Sequence, residues 1–220
     1  MIFEIYLPVR NEEIDLENTI KTIKNLTKDK IIVIDNNSSD NSKEIAKKNN
    51  VEVWNENKIG KANVIKKIIK ESTADIIFFT DSDNTYSFIE YNNHKEILKK
   101  HNYDMIIGKR NYEIKFLKRI DRKIANIIFN FIFKLLIGGN FSDICSGYRF
   151  LKREKFNNIQ INSKNFEIET ELSIFSIKNN LHYKELPINY RERVLSVSKL
   201  KTFKDGFGIL FYLIKHSFKK

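Results

Sequence analysis

The stretch Ile76-Ile77-Phe78-Phe79-Thr80-Asp81-Ser82-Asp83 decides how this chain is read. Its apolar run, preceded by Asp75 and closed by polar residues, has the pattern of a strand covered on both faces, as strands of parallel sheets are. Two carboxylates follow at its carboxyl end, the edge where open α/β sheets take their ligands. Asp81 and Asp83 stand one residue apart, so both can reach a single divalent cation, and hard oxygen ligands suit Mg2+ or Mn2+. The same Asp-x-Asp is also the pattern of an acidic turn or a helix cap. The rest of the chain has to separate these readings.

On the N-terminal side, residues 2–9 read as a strand, followed by a helix that Asp15 caps and that Leu16, Ile20, Ile23 and Leu26 line at helical spacing. Residues 31–34 are a second buried strand. It ends in Asp35-Asn36-Asn37-Ser38-Ser39-Asp40, turn formers that lead into a helix over 41–48. A short strand over 51–54 and a Gly-containing loop over 58–62 precede a helix lined by Val64, Ile65, Ile68 and Ile69. Strands and helices alternating through short loops specify a mostly parallel, Rossmann-like sheet with helices on both faces. Asp35, Lys61, Asp81 and Asp83 then share one edge, where carboxylates and a cation together fit a metal-bound diphosphate better than an isolated acidic turn does.

On the C-terminal side, a helix over 90–100 and a strand over 103–108 lead to Lys109-Arg110. Residues 116–137 are helical, with Arg122, Asn126, Asn130 and Lys134 at every fourth position and Ile or Phe almost everywhere else. Such a wide apolar face packs on the sheet, on a second copy of the chain in a homo-oligomer, or in a membrane interface. Residues 142–153 place Asp143, Ser146, Gly147, Arg149 and Arg153 around a glycine turn, and a helix over 166–178 carries Glu167, Glu169 and Glu171. A strand at 186–190 has Pro187 at a sheet edge, a basic loop holds Arg191, Arg193 and Lys199, and a basic amphipathic helix closes the chain.

With 220 residues and 41% hydrophobic content, the chain makes one medium domain with a real core. We place the domain at residues 1–200, with 201–220 as a C-terminal amphipathic extension. Cys145 is the single cysteine, which excludes an internal disulfide and fits a reducing compartment. A net charge of +11 points to anionic partners. The basic residues crowd beside apolar helices, the composition of a surface lying on lipid head groups. No nucleic-acid-binding motif accompanies the charge, which argues against that class. No signal peptide is legible, and residues 124–137 fall short of the roughly 20 apolar residues that span a bilayer. The expected location is therefore cytoplasmic, peripheral on the cytoplasmic face of a membrane.

In this order the segments Leu7-Pro8-Val9-Arg10-Asn11-Glu12, Val33-Ile34-Asp35-Asn36-Asn37-Ser38-Ser39-Asp40, Asn57-Lys58-Ile59-Gly60-Lys61-Ala62, Asp81-Ser82-Asp83 and Gly108-Lys109-Arg110 resemble family 2 glycosyltransferases of GT-A fold. Asp143-Ile144-Cys145-Ser146-Gly147-Tyr148-Arg149, and Leu186-Pro187-Ile188 through Arg193 to Ser198-Lys199-Leu200, narrow the likeness to the dolichyl- or polyprenyl-phosphate sugar transferases. The resemblance implies that Pro8, Arg10, Glu12, Val33 and Asp35 hold the nucleoside, and that Asp81, Ser82 and Asp83 hold the metal and diphosphate. Lys61 joins this nucleotide-sugar site. Arg110, Arg193 and Lys199 would then supply positive charge to phosphates, as catalytic groups alongside Asp81 and Asp83. Arg122, Asp143, Ser146, Arg149 and Glu169 fall on the acceptor side. Three positions depart from the family pattern: Arg10 where an aromatic is common, Asn36 where a second acid is common, and Thr85 where some relatives carry a metal-supporting Gln.

The implied reaction is inverting transfer of a hexose from a nucleotide diphosphate sugar, of the GDP-mannose or UDP-glucose type, to a polyprenyl phosphate. The alternative within the family is a hydroxyl acceptor, which needs a carboxylate base. Asp143 and Glu169 are the residues placed for that role.

Overall fold

The structure, a computed structural model, describes residues 1–112, 120–191 and 202–217. Strands β1 (Phe3–Val9), β2 (Lys30–Asp35), β3 (Glu52–Asn55) and β4 (Ile76–Phe79) alternate with helices α1 (Leu16–Leu26), α2 (Ser42–Lys48) and α3 (Lys61–Glu71). The second half contributes α4 (Tyr91–His101), β5 (Met105–Tyr112), α5 (Ile120–Leu136), β6 (Arg149–Lys152) and the one-turn α6 (Arg153–Phe156). It ends with α7 (Ile168–Lys178), β7 (Tyr183–Tyr190) and α8 (Thr202–Ser217).

The described strands form one seven-stranded sheet in the order β3-β2-β1-β4-β6-β5-β7. Pairing is parallel for β1 with β2 and β4, for β2 with β3 and for β5 with β7, while β6 runs antiparallel between β4 and β5. The chain leaves β1 on one side for β2 and β3, then crosses to the other side for β4. The carboxyl ends of β1 and β4 therefore border the crevice in which such sheets bind ligands.

The unbroken apolar strands follow from burial on both faces, because successive side chains alternate between two cores. Tyr6, Ile32, Ile34, Ile77, Phe79, Met105 and Ile107 point to one face, against Ile65 and Ile68 of α3 and Leu172 of α7. Ile5, Leu7, Ile31, Val33, Ile76, Phe78 and Ile106 point to the other, against Leu16, Ile20 and Ile23 of α1 and Tyr91 and Leu98 of α4. Each fully buried Ile, Leu or Phe stabilises the fold by about 1.5–3 kcal/mol. Phe78, ringed by Tyr91, Tyr148 and Phe150 at centroid distances of 4.4–5.0 Å, knits β4, β6 and α4 together.

Two elements differ from the sequence expectation. The strand expected to stop at Gly108 continues to Tyr112, because β7 pairs with it residue by residue, Lys109 opposite Pro187 and Arg110 opposite Ile188. Lys109 and Arg110 are thus strand residues. The polar cluster over 142–153 contains β6, whose four residues begin with Arg and end with Lys and give no alternating signal. β7 does lie at the sheet edge, as Pro187 requires.

Helix α8 packs along α5 and sends Ile209, Tyr212 and Leu213 into the same core as α3 and α7. α5 buries Phe133 there but leaves Ile124, Ile127, Ile128, Phe131 and Leu135 exposed, and α8 leaves Phe211 and Ile214 exposed. No described helix is long and apolar enough to cross a membrane.

Candidate active site

The turn after β4 is pinned before any ligand enters. Ser82 Oγ donates to the Pro8 carbonyl at 2.8 Å, and the Ser82 carbonyl accepts from Thr19 Oγ1 at 3.2 Å, which ties the Asp81-Ser82-Asp83 turn to β1 and α1. Ser82 is thereby an internal fastener, with its hydroxyl spent on the main chain. Asp83 is fixed by Thr85, which donates its hydroxyl to Oδ1 at 2.5 Å and its amide to the same oxygen at 3.2 Å. Thr85 is a site residue that sequence reasoning treated only as a departure from the family. An Asx-type turn two residues after an Asp is the signal that points to it.

Asp81 sits on Gly147. A Cβ at that glycine would lie 2.8 Å from Asp81 Oδ2, so the carboxylate occupies space that any side chain would take. Asp81 Oδ1 accepts from Lys61 Nζ at 2.5 Å, and the same ammonium reaches Glu169 Oε1 at 2.6 Å. Burial alone would lower the Lys61 ammonium, but the two carboxylates outweigh it and hold its pKa above the usual lysine value. Burial raises the Glu169 carboxyl, with Lys61 acting in opposition. Glu169, expected on the acceptor side, is buried and shares the Lys61 ammonium with Asp81. Lys61 likewise rests between carboxylates.

What places Lys61 is a clamp that the sequence did not reveal. Asn36, just past β2, donates from Nδ2 to the carbonyls of Glu56 and Lys58 at 2.8 and 2.9 Å and accepts from the Gly60 amide at 2.8 Å. Gly60 has φ +129°, and a Cβ there would lie 2.2 Å from the Lys164 carbonyl oxygen. Only glycine fits both demands. The loop is thus held at both sides, and α3 starts with Lys61 aimed at the aspartates.

At the β2 end of the crevice, Asp35 accepts from the Ser38 amide at 3.4 Å through Oδ2, while its buried Oδ1 has no partner among the described residues. That oxygen suits a ribose or base donor. The Glu12 amide donates to Ser42 Oγ at 2.8 Å, Arg10 is exposed beside it, and Pro8 lines the β1 end. Val33 is wholly buried in the core, which corrects its placement as a nucleoside contact: its side chain faces α1.

Arg110 forms the second half of the site. Its Nε donates to Asp143 Oδ2 at 2.8 Å and its Nη2 to Oδ1 at 2.6 Å, and its own amide donates to Oδ2 at 3.0 Å. Asn126 of α5 adds a bond to Asp143 Oδ1 at 3.1 Å. The guanidinium lies 5.3 Å from the Tyr190 ring centroid. Tyr190 meets Tyr86 edge-on at 5.1 Å, and Tyr86 Oη accepts from the Gly147 amide at 2.8 Å. Burial raises both phenols, and both feel the charges of Asp81 and Arg110. Tyr86 and Tyr190 thus form a wall between the aspartates and Arg110, a feature with no motif of its own.

Arg149 and Ser146, expected on the acceptor side, are corrections. Arg149 is fully buried and donates to the carbonyls of Ser146 and Ile144 at 3.0 and 2.7 Å and to Ser173 Oγ at 3.0 Å, while Ser146 Oγ donates to the Gly108 carbonyl at 2.6 Å. Both shape the loop before β6. Arg193 and Lys199 lie outside the described residues, as does the side chain of Arg122.

The chain is similar to known proteins in fold and in sequence. At 18% sequence identity and a TM-score of 0.77, the fold is that of glucosyl-3-phosphoglycerate synthase from Mycobacterium tuberculosis in complex with Mn2+ and UDP-glucose, over 98% of this chain and 78% of that one. The chain is 28% identical to glycosyltransferase AglJ of Haloferax volcanii over 94% of its own length and 69% of the relative's. It is 30% identical to the uncharacterized protein MJ1222 of Methanocaldococcus jannaschii over 96% and 90% of the two chains. The model of glycosyl transferase family 2 matches residues 4–160, the span that carries β1 to β6 and both aspartates. By that match this α/β protein of GT-A fold belongs to glycosyl transferase family 2.

Proposed function

We propose that the protein transfers a hexose, with inversion, from a nucleotide diphosphate sugar to a polyprenyl phosphate of the dolichyl type, with Mg2+ or Mn2+ as cofactor. The observation that carries the phosphate acceptor is the state of the two carboxylates placed for base catalysis. Asp143 gives both oxygens to Arg110 and Asn126, and Glu169 is paired with Lys61. Asp143 thus has both oxygens engaged, and Glu169 is 2% exposed, so neither is presented to an acceptor hydroxyl. An acceptor phosphate, with its second pKa at about 6, is already mostly ionised at neutral pH and needs no base.

The donor set fits a divalent cation. Asp81 and Asp83 offer hard oxygens at the crevice mouth, and no third acidic, His or Cys side chain completes a ligand cluster among the described residues. Asp81 and Asp83 would hold the cation beside the donor's diphosphate. The cation supplies charge neutralisation to the departing nucleoside diphosphate. Thr85 and Gly147 hold Asp83 and Asp81 in place for it. Asp35 orients the nucleoside, and Arg110, fixed by Asp143, presents preorganised positive charge. As an acceptor phosphate oxygen bonds to the anomeric carbon, the bond from that carbon to the donor's β-phosphate oxygen breaks.

The exposed apolar residues of α5 and α8, with Lys134 and Lys215 on the same helices, support attachment to the cytoplasmic face of a membrane, where such an acceptor resides. Release of nucleoside diphosphate from a panel of UDP- and GDP-sugars, with and without a short polyprenyl phosphate, tests the proposal. Release that requires the lipid phosphate, the metal and Asp83 is the expected result. Release that ignores lipid phosphate but responds to a small hydroxyl acceptor overturns it. Phosphoglyceric acid belongs in that panel, because a synthase of the same fold is held with it.

A further inference from the structure

Lys61 is shared by two carboxylates, and one of them carries an oxygen that nothing uses. Glu169 is 2% exposed; its Oε1 meets Lys61 Nζ at 2.6 Å, and its Oε2 is buried without a hydrogen-bond partner among the described residues. An unmatched carboxylate oxygen in a dry site is unfavourable, and it remains a ready acceptor for any donor that can move to it. The nearest mobile donor is the ammonium already at its sister oxygen. Lys61 is anchored at its backbone by the Asn36 and Gly60 clamp, and a lysine ammonium pivots on a flexible four-carbon stem.

We propose that Glu169 is a positioning residue for Asp81: it takes over the Lys61 ammonium when Asp81 receives a divalent cation. This rests on the metal reading given above. With the crevice empty of metal, Lys61 neutralises Asp81 and keeps its carboxylate against Gly147. When Asp81 turns its charge to a cation, the ammonium 2.5 Å from Oδ1 meets a like charge and leaves. Glu169 Oε2 receives it, and Lys61 then donates to both oxygens of one carboxylate. No proton is transferred and no covalent bond changes. Asp81, Asp83 and Glu169 bring three negative charges to the single positive charge of Lys61. Without Glu169 the ammonium has nowhere to go, and the same site carries one negative charge fewer.

The test is Mn2+ affinity, read by electron paramagnetic resonance on the full chain at saturating UDP or GDP, whichever the protein binds. Glu169→Gln is expected to weaken Mn2+ binding about tenfold, and the double variant Lys61→Met/Glu169→Gln to regain most of that loss, because the two residues act as a coupled pair. Lys61→Met alone is expected to bind Mn2+ at least as tightly as the natural chain. Unchanged affinity in Glu169→Gln, or a double variant no better than the single one, overturns the hand-over. If the Gln variants fail to fold, Lys61→Met decides: weaker Mn2+ binding overturns the proposal, and equal or tighter binding upholds it. A natural chain that takes up no Mn2+ with either nucleotide overturns the metal reading itself, and the hand-over with it.

Discussion

Arg110 and Asp143 face each other as a bidentate pair, Nε to Oδ2 at 2.8 Å and Nη2 to Oδ1 at 2.6 Å, with the Arg110 amide closing on Oδ2 as well. One residue comes from the far end of β5 and the other from the loop before β6. Asp143 in turn accepts from Asn126, and its amide donates to Glu185 of β7 at 2.8 Å. An Arg held this way has lost its rotamer freedom before a phosphate arrives, so its charge is preorganised.

Asp143→Asn is therefore expected to lower turnover by up to about 100-fold through lost alignment of Arg110. Affinity for the nucleoside diphosphate should stay close to that of the natural chain. Steady-state turnover against titration calorimetry checks this. Complete loss of activity with intact donor binding would instead make Asp143 a base for a hydroxyl acceptor.

Asp83→Ala removes a hard ligand together with the Thr85 anchor. Metal-dependent release of nucleoside diphosphate should fall at least about 100-fold, since Lewis-acid neutralisation is worth several kcal/mol. Thr85→Val keeps the ligand but frees it from its hydroxyl bond. It is expected to raise the Mn2+ concentration needed for half-maximal turnover while the fold is unaffected by circular dichroism.

Gly147→Ala separates site from scaffold. The added methyl would lie 2.8 Å from Asp81 Oδ2, the end of a side chain, so the carboxylate yields and the backbone stays. Overpacking of this kind costs about 1–3 kcal/mol. The expected result is a folded protein with a modestly lower Tm and markedly weakened metal-dependent activity. Loss of activity in proportion to loss of folded protein would count against the close approach.

Phe131→Asp with Leu135→Asp tests the exposed face of α5. Phe131 is 68% and Leu135 73% exposed, so neither contributes to the core. Surface changes of this sort stay within about 0.5 kcal/mol each. Cosedimentation with anionic liposomes at low salt should be lost while thermal stability is kept. Unchanged sedimentation would remove the membrane from the proposal.

Arg149→Met tests the buried scaffold. The guanidinium donates to two carbonyls and a serine hydroxyl without exposure to water, so its loss leaves Ile144 and Ser146 carbonyls unmatched. A loss of about 3 kcal/mol or more is expected in urea unfolding, from several buried groups at about 1–3 kcal/mol each.

The sequence by itself determined the sheet, its parallel first half and the edge at which the acids lie. Those follow from hydrophobic period and from turn residues, which act within a few positions along the chain. It also placed Asp81 and Asp83 together, because only Ser82 separates them. Tertiary structure alone decided which polar residues face the crevice and which fasten it. Arg149, Ser146 and Ser82 read as site residues and are internal pins, since burial and hydrogen-bond partners 24–74 positions away are invisible to a local pattern. Strand β6 escaped notice for the same reason: Arg149 at its start is satisfied by α7 and by a loop, not by solvent. The meeting of Lys61, Asp81 and Glu169 joins α3, the turn after β4 and α7 across 108 residues of chain. Only packing of those elements on a shared sheet brings three such distant charges within one ammonium's reach.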